Sequence, residues 1–186
     1  MLNRVLLFFI LFISFFSFSD NYIVNEEESV RFGLNTFFNG NDVSLKGSSA
    51  HIHVNSVGLE GYFGIPLAYD MFLNLGSKLE FLDPMGTVSR RDDDEYKLKD
   101  DLIYSLFVQF TKEFDINAKN IPYVHVGFDT GLNESNFNTV LGAGLVIPTN
   151  GNLKFNVALN YHYRSWYNLL NNVSDSGLGV TVGLAF

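Results

Sequence analysis

Three short stretches carry side chains capable of chemistry. The "HIH" at 51–53 sets two imidazoles on one face of an extended chain, a spacing that a metal pair could use. No third ligand follows nearby in sequence, so two solvated histidines are the better reading. The "RRDDDEYKLKDD" at 90–101 crowds both signs of charge but lacks the glycine-containing pattern of a calcium loop, and reads as a solvated surface connection. The "YHYRSWYN" at 161–168 places a potential general base, His162, near a hydroxyl, Ser165, which falls one residue out of phase with it. No acid follows in the last segment to orient the imidazole, so a nucleophile–base–acid set is not assembled. With no cysteine there is also no disulfide framework, zinc knuckle or thiol nucleophile. These residues predict no enzyme, no resident metal and no cofactor.

The elements that must carry these stretches follow from composition and periodicity. The chain has 186 residues, enough for one domain with a real core. A formal net charge of −8 excludes nucleic acid as a partner, since phosphate binding needs a basic face. Hydrophobic residues make up 47% and charged residues only 17%, yet beyond the N-terminus no apolar run approaches the length of a membrane-spanning helix. Apolarity without long apolar runs points to strands. The first 19 residues, with Arg4 before an apolar stretch and with Ser17 and Ser19 before Asp20, predict a secretory signal peptide cleaved after Ser19. Residues 20–28 then form an acidic lead-in on the periplasmic side, and 29–186 form the folded unit.

Eight alternating segments are predicted, at 30–38, 51–63, 71–82, 102–114, 122–132, 137–148, 153–164 and 177–186. Their length suits tilted strands that cross a bilayer. The connections at 39–50, 83–101 and 165–176 are long and polar, 133–136 is short, and the connections at the opposite end are tight turns. Long loops at one end and short turns at the other is the layout of a transmembrane β-barrel.

The two faces of the strands differ in kind. One is apolar and nearly free of charge, including Phe32, Leu34, Leu79, Leu106, Leu141 and Leu159. The other is small and polar, including Gly33, Asn35, Asn74, Gly127, Asn156 and Asn160. Eight strands leave an interior only wide enough for side chains to fill, which the small face suits. That face also carries Arg31, Lys78, Lys154 and Arg164 against Glu60, Glu80, Glu113 and Asp129, a balanced set as a narrow, poorly hydrated interior requires. Aromatic girdles are expected from Phe37, Phe38, Phe81, Tyr104, Tyr163, Trp166 and Tyr167 at the loop ends, and from Tyr62, Phe63, Phe114, Tyr123 and Phe186 at the turn ends.

The final "GLGVTVGLAF" places Leu178, Val180, Val182, Leu184 and the terminal Phe186 on one face. This stretch and the eight-segment layout resemble the small eight-stranded outer-membrane barrels of the OmpA/OmpX type, without a periplasmic domain. The resemblance implies an all-β, monomeric, transmembrane barrel in the outer membrane of a Gram-negative-type bacterium. It implies that the five terminal residues are the signal read by the barrel-assembly machinery. Lipid and lipopolysaccharide are the expected surroundings, and a surface protein is a possible partner. Loops on a rigid scaffold are the usual site of recognition. The candidates there are Arg90, Arg91, Asp92, Asp93, Asp94 and Glu95 in the charged connection, and Trp166 and Tyr167 in the last one. The expected role is structural or interactive, in envelope integrity or surface contacts, with a plugged lumen. A lipid A deacylase, whose His-x-Ser region "YHYRSWYN" resembles through His162, and a narrow channel are the alternatives.

Overall fold

The computed structural model describes residues 30–45, 51–68, 70–85, 88–89, 95–96, 101–114, 119–133, 135–149, 153–166 and 173–186. The signal peptide and lead-in expected from the sequence lie outside these residues. The strands are β1 (Arg31–Leu45), β2 (His51–Ala68), β3 (Met71–Met85), β4 (Val88–Ser89), β5 (Glu95–Tyr96), β6 (Asp101–Glu113), β7 (Ile121–Gly131), β8 (Asn136–Pro148), β9 (Lys154–Trp166) and β10 (Val173–Ala185). Eight of them close an antiparallel barrel in the order β1-β10-β9-β8-β7-β6-β3-β2. The other two, β4 and β5, pair as a small hairpin within the connection between β3 and β6.

The period of two sorts each strand into a wall and a filling. On β9, Phe155, Val157, Leu159, Tyr161 and Tyr163 face out, while Asn156, Ala158, Asn160, His162 and Arg164 are buried. Leu159 is 70% exposed and Arg164 1%, an inversion that a water-soluble barrel would not tolerate but a lipid-covered one demands. Closure falls to the last strand: β10 pairs with β1 from Gly33↔Ala185 to Leu45↔Val173. Phe32 and Phe186 extend that seam by exchanging backbone hydrogen bonds of 2.8 and 2.9 Å, their rings stacked at 6.4 Å.

Some strands run further than periodicity predicted. The "NGND" at 39–42 has turn composition, yet β1 continues through it to Leu45, and β10 begins at Val173 rather than 177. Inward positions decide this: Asn41 and Val43 are buried, and backbone pairing to both neighbours outweighs local turn preference. The extensions give the barrel an uneven rim. Beyond the apolar belt, Asp42 and Ser44 of β1, His53 and Asn55 of β2, and Ser174 and Ser176 of β10 face outward. On β6 and β8, exposed Leu102, Tyr104 and Phe137 carry the apolar belt to the strand ends.

Aromatic side chains fill the interior by lying over glycines on the paired strand. Tyr62 is the register partner of Gly33, Phe37 of Gly58, Phe107 of Gly76, Tyr123 of Gly144 and His125 of Gly142. This corrects the expected girdles, because Phe37, Tyr62 and Tyr123 belong to the lumen face. At Gly76, a Cβ would meet the Gly61 carbonyl and stand 2.7 Å from the Phe107 ring. Backbone cannot yield as a side-chain tip can. Gly76→Ala is therefore expected to lower barrel stability by about 1–3 kcal/mol in urea titrations, whereas Gly61→Ala, on the open outer face, should be close to neutral.

Candidate functional site

The interior is layered from the loop end to the turn end. Outermost is an apolar cap of Val43, Val54, Leu82, Ile103 and Trp166, with Val173 packed against it. It draws one residue from each of five strands, at positions where the inward face turns from polar to apolar near the rim.

Beneath the cap lies a charge cluster. Arg164 donates to both carboxylate oxygens of Glu80, at 2.8 and 2.6 Å, and both residues are 1% exposed. Lys78 lies 3.2 Å from Glu80 and 3.1 Å from Asp129, bridging the two acids. Asn138 donates to Asp129 at 2.8 Å. To one side, Asp175 accepts from the Trp166 indole at 2.6 Å and from Asn41 at 3.4 Å, with His162 Nε2 3.7 Å away. The Arg164 guanidinium also sits 5.3 Å from the Trp166 ring centre, joining cluster to cap.

Below the cluster the polar residues are mostly amides. Asn156 donates to Asn35 at 3.1 Å, Asn35 to Glu60 at 2.6 Å, Asn160 to Thr181 at 2.7 Å, and Asn74 to both Gln109 and Thr111 at 3.0 Å. At the turn end Arg31 pairs with Glu113 and lies 3.7 Å over the Phe72 ring. A cavity of about 100 Å³ runs through this lower half, lined from Asp129 and His162 down to Arg31 and Lys154. None of the cap residues line it.

The eight ionisable residues expected in the lumen all lie on its face. Seven meet a partner given above, and Lys154 lines the cavity near the turn end. Asp175 is a ninth, placed by the sequence in a loop and by the structure on β10, 3% exposed. His125, stacked on Tyr123 at 5.7 Å, also escaped the sequence reading, although its parity with Tyr123 and Gly127 was a usable signal.

The loop candidates fare differently. Arg90, Arg91, Asp92, Asp93, Asp94 and Tyr167 lie outside the described residues. Glu95 opens β5 and pairs with Ser89. Trp166 is not a loop or girdle residue: it ends β9 with its ring buried in the cap, because even-numbered residues of that strand face inward. The terminal set Leu178, Val180, Val182, Leu184 and Phe186 shares the outward face of the closing seam.

The other chemical stretches assemble little. His53 pairs with Asp42 at 2.8 Å on the exposed wall, and among the described residues no group of three metal-ligating side chains occurs. His162 is 2% exposed inside the barrel, whereas Ser165 has outward parity on the same strand. A base and a hydroxyl on opposite sides of the wall cannot share a proton.

This fold and this filled, charge-bearing interior define a small eight-stranded outer-membrane β-barrel. Among solved structures the chain is similar to neisserial surface protein A (NspA), with 15% identity over 84% of this chain and 98% of that one, at a TM-score of 0.53. It is similar to the outer membrane protein OprG from Pseudomonas aeruginosa, with 14% identity over 88% and 98%, at a TM-score of 0.51. The outer membrane enzyme PagL matches with 14% identity over 81% and 97%, at a TM-score of 0.48. No protein-family model and no curated protein matches the sequence.

Proposed function

We propose that the protein is a monomeric barrel of the Gram-negative-type outer membrane, exported by cleavage after Ser19. In this reading it acts in envelope integrity or surface contact through its outer connections. The observation that carries it is the apolar cap over the Arg164–Glu80 pair. With this apolar layer lying between the charge cluster and the rim, contacts with molecules outside fall to the rim and loops. Lipopolysaccharide is the first partner to consider. Acids at 92–95 can share divalent cations with its phosphates while Arg90 and Arg91 contact phosphate directly. A protein on a neighbouring surface is the second.

The connection between β3 and β6 is the longest and carries both signs of charge. Replacing residues 88–97 with a tight Asn-Gly turn is expected to leave the barrel folded, since a hairpin needs only a few residues to close. Folding is read from slowed gel migration on heating in detergent. The same replacement should abolish binding of the purified barrel to lipopolysaccharide-coated surfaces or to cells. A shortened barrel that folds and binds as before would rule this connection out as the recognition element.

A further inference from the structure

Several buried side-chain oxygens lining the lower half of the lumen have no partner among the described residues, beside unpartnered ring nitrogens of His125 and His162. Carboxylate oxygens accept, and the amides touching the acids turn their nitrogens toward them. Asn35 therefore donates to Glu60, its oxygen is left to accept, and Asn156 must donate to that oxygen. The chain of obligations ends with the Asn156 oxygen, which has no partner. Asn138, committed by its nitrogen to Asp129, likewise leaves its oxygen unpartnered. The second oxygen of Asp129 is unpartnered too. Asn156, Asn138 and Asp129 are more than nine-tenths buried and line the same cavity.

Charge points the same way. Among the described side chains, the lumen face holds five acidic groups (Glu60, Glu80, Glu113, Asp129 and Asp175) against four basic ones (Arg31, Lys78, Lys154 and Arg164), one acid in excess. Among the described residues Glu60 and Asp175 have no lysine or arginine within 4 Å, and of the two only Glu60 lines the cavity: its register neighbour on β3 is Lys78, but that ammonium turns to Glu80 and Asp129. Glu60 nevertheless keeps some accessible surface toward the cavity. An acceptor-lined chamber with an excess carboxylate is complementary to a hard cation, which takes oxygen ligands.

We infer that the chamber is a binding site for a small monovalent cation of the sodium or potassium class, held by the Glu60 carboxylate and the free amide oxygen of Asn156, with water completing the shell. The volume of about 100 Å³ exceeds one bare ion and suits an ion with part of its hydration. The ion enters from the turn end, where the cavity lining reaches the part-exposed Arg31.

The test compares unfolding midpoints of the detergent-folded barrel in sodium chloride and in N-methylglucamine chloride at equal ionic strength. The organic cation is too large for the chamber, so screening is matched while binding is not. The wild-type protein should melt a few degrees higher in sodium, and Glu60→Gln should lose that difference while keeping the heat-shifted gel band of a folded barrel. Equal wild-type midpoints in the two salts, or the same sodium shift in Glu60→Gln, would overturn the site. Should Glu60→Gln fail to fold, crystals of the wild-type protein grown in rubidium chloride decide. Anomalous density between Glu60 and Asn156 supports the site, and its absence refutes it.

Discussion

Replacing Glu80 with leucine is expected to lower the stability of the folded barrel by about 3–5 kcal/mol, measured by urea unfolding in lipid vesicles. Both hydrogen bonds from the Arg164 Nη2 group end on Glu80, and neither residue reaches solvent. Without the carboxylate, a guanidinium stays buried with no other acid within 4 Å among the described residues. The reciprocal Arg164→Leu should cost somewhat less, because Glu80 keeps Lys78 at 3.2 Å, although that ammonium must then serve Asp129 as well. The double variant is the informative control. Removing both charges replaces an ion pair with apolar volume beside an apolar cap, and should recover most of the loss. Single variants that each lose less than about 1 kcal/mol would show that water reaches the pair and that the cap does not seal.

The second large effect concerns assembly in the cell. Phe186→Asp is expected to leave the protein unassembled in the periplasm, with little heat-modifiable barrel in the outer membrane. The side chain is 62% exposed on the outer wall, so its folded-state contribution is small, and a charge near the interface of the belt costs only about 0–1 kcal/mol. Two readouts therefore separate recognition from stability. The variant should refold in detergent nearly as well as the wild type, because the backbone bonds between Phe32 and Phe186 do not depend on the ring. Its yield in outer membranes should collapse. Undiminished folded barrel in the membrane would refute the terminal-signal reading, and failure in both settings would assign Phe186 to the stability of the seam.

Much of this architecture is legible in the sequence because a two-residue period leaves a trace at every position. Leu159 out and Asn160 in can be read from the chain alone, as can the outward face of the final strand, whereas "GIPLAYD" at 64–70 was expected to be a turn and β2 runs through it to Ala68. Local composition misleads where pairing overrides it, as in the continuation of β1 through "NGND". The aromatic misplacements are instructive in another way. Phe37 shares parity with Gly33 and Asn35, so its inward direction was available, but the reason for it lies across the register at Gly58. Charge pairing is the least legible feature. Arg164 meets Glu80 across the lumen from a strand that is not its neighbour, and no pattern along one chain reports a contact of that kind. Asp175 was hidden because the start of β10 looked like the end of a loop.

The uneven rim gives this molecule a front and a back. On the side of β1, β2 and β10 a neighbour drifting in the bilayer would meet polar sheet at the rim, with Asp42 and His53 already paired on its surface. On the side of β6 and β8 it would meet greasy wall up to the last strand residue. Two such cylinders therefore do not approach one another equally from all compass directions. A neighbour touching the first flank meets hydrogen-bonding groups at the rim, and one touching the second meets apolar side chains up to the strand end.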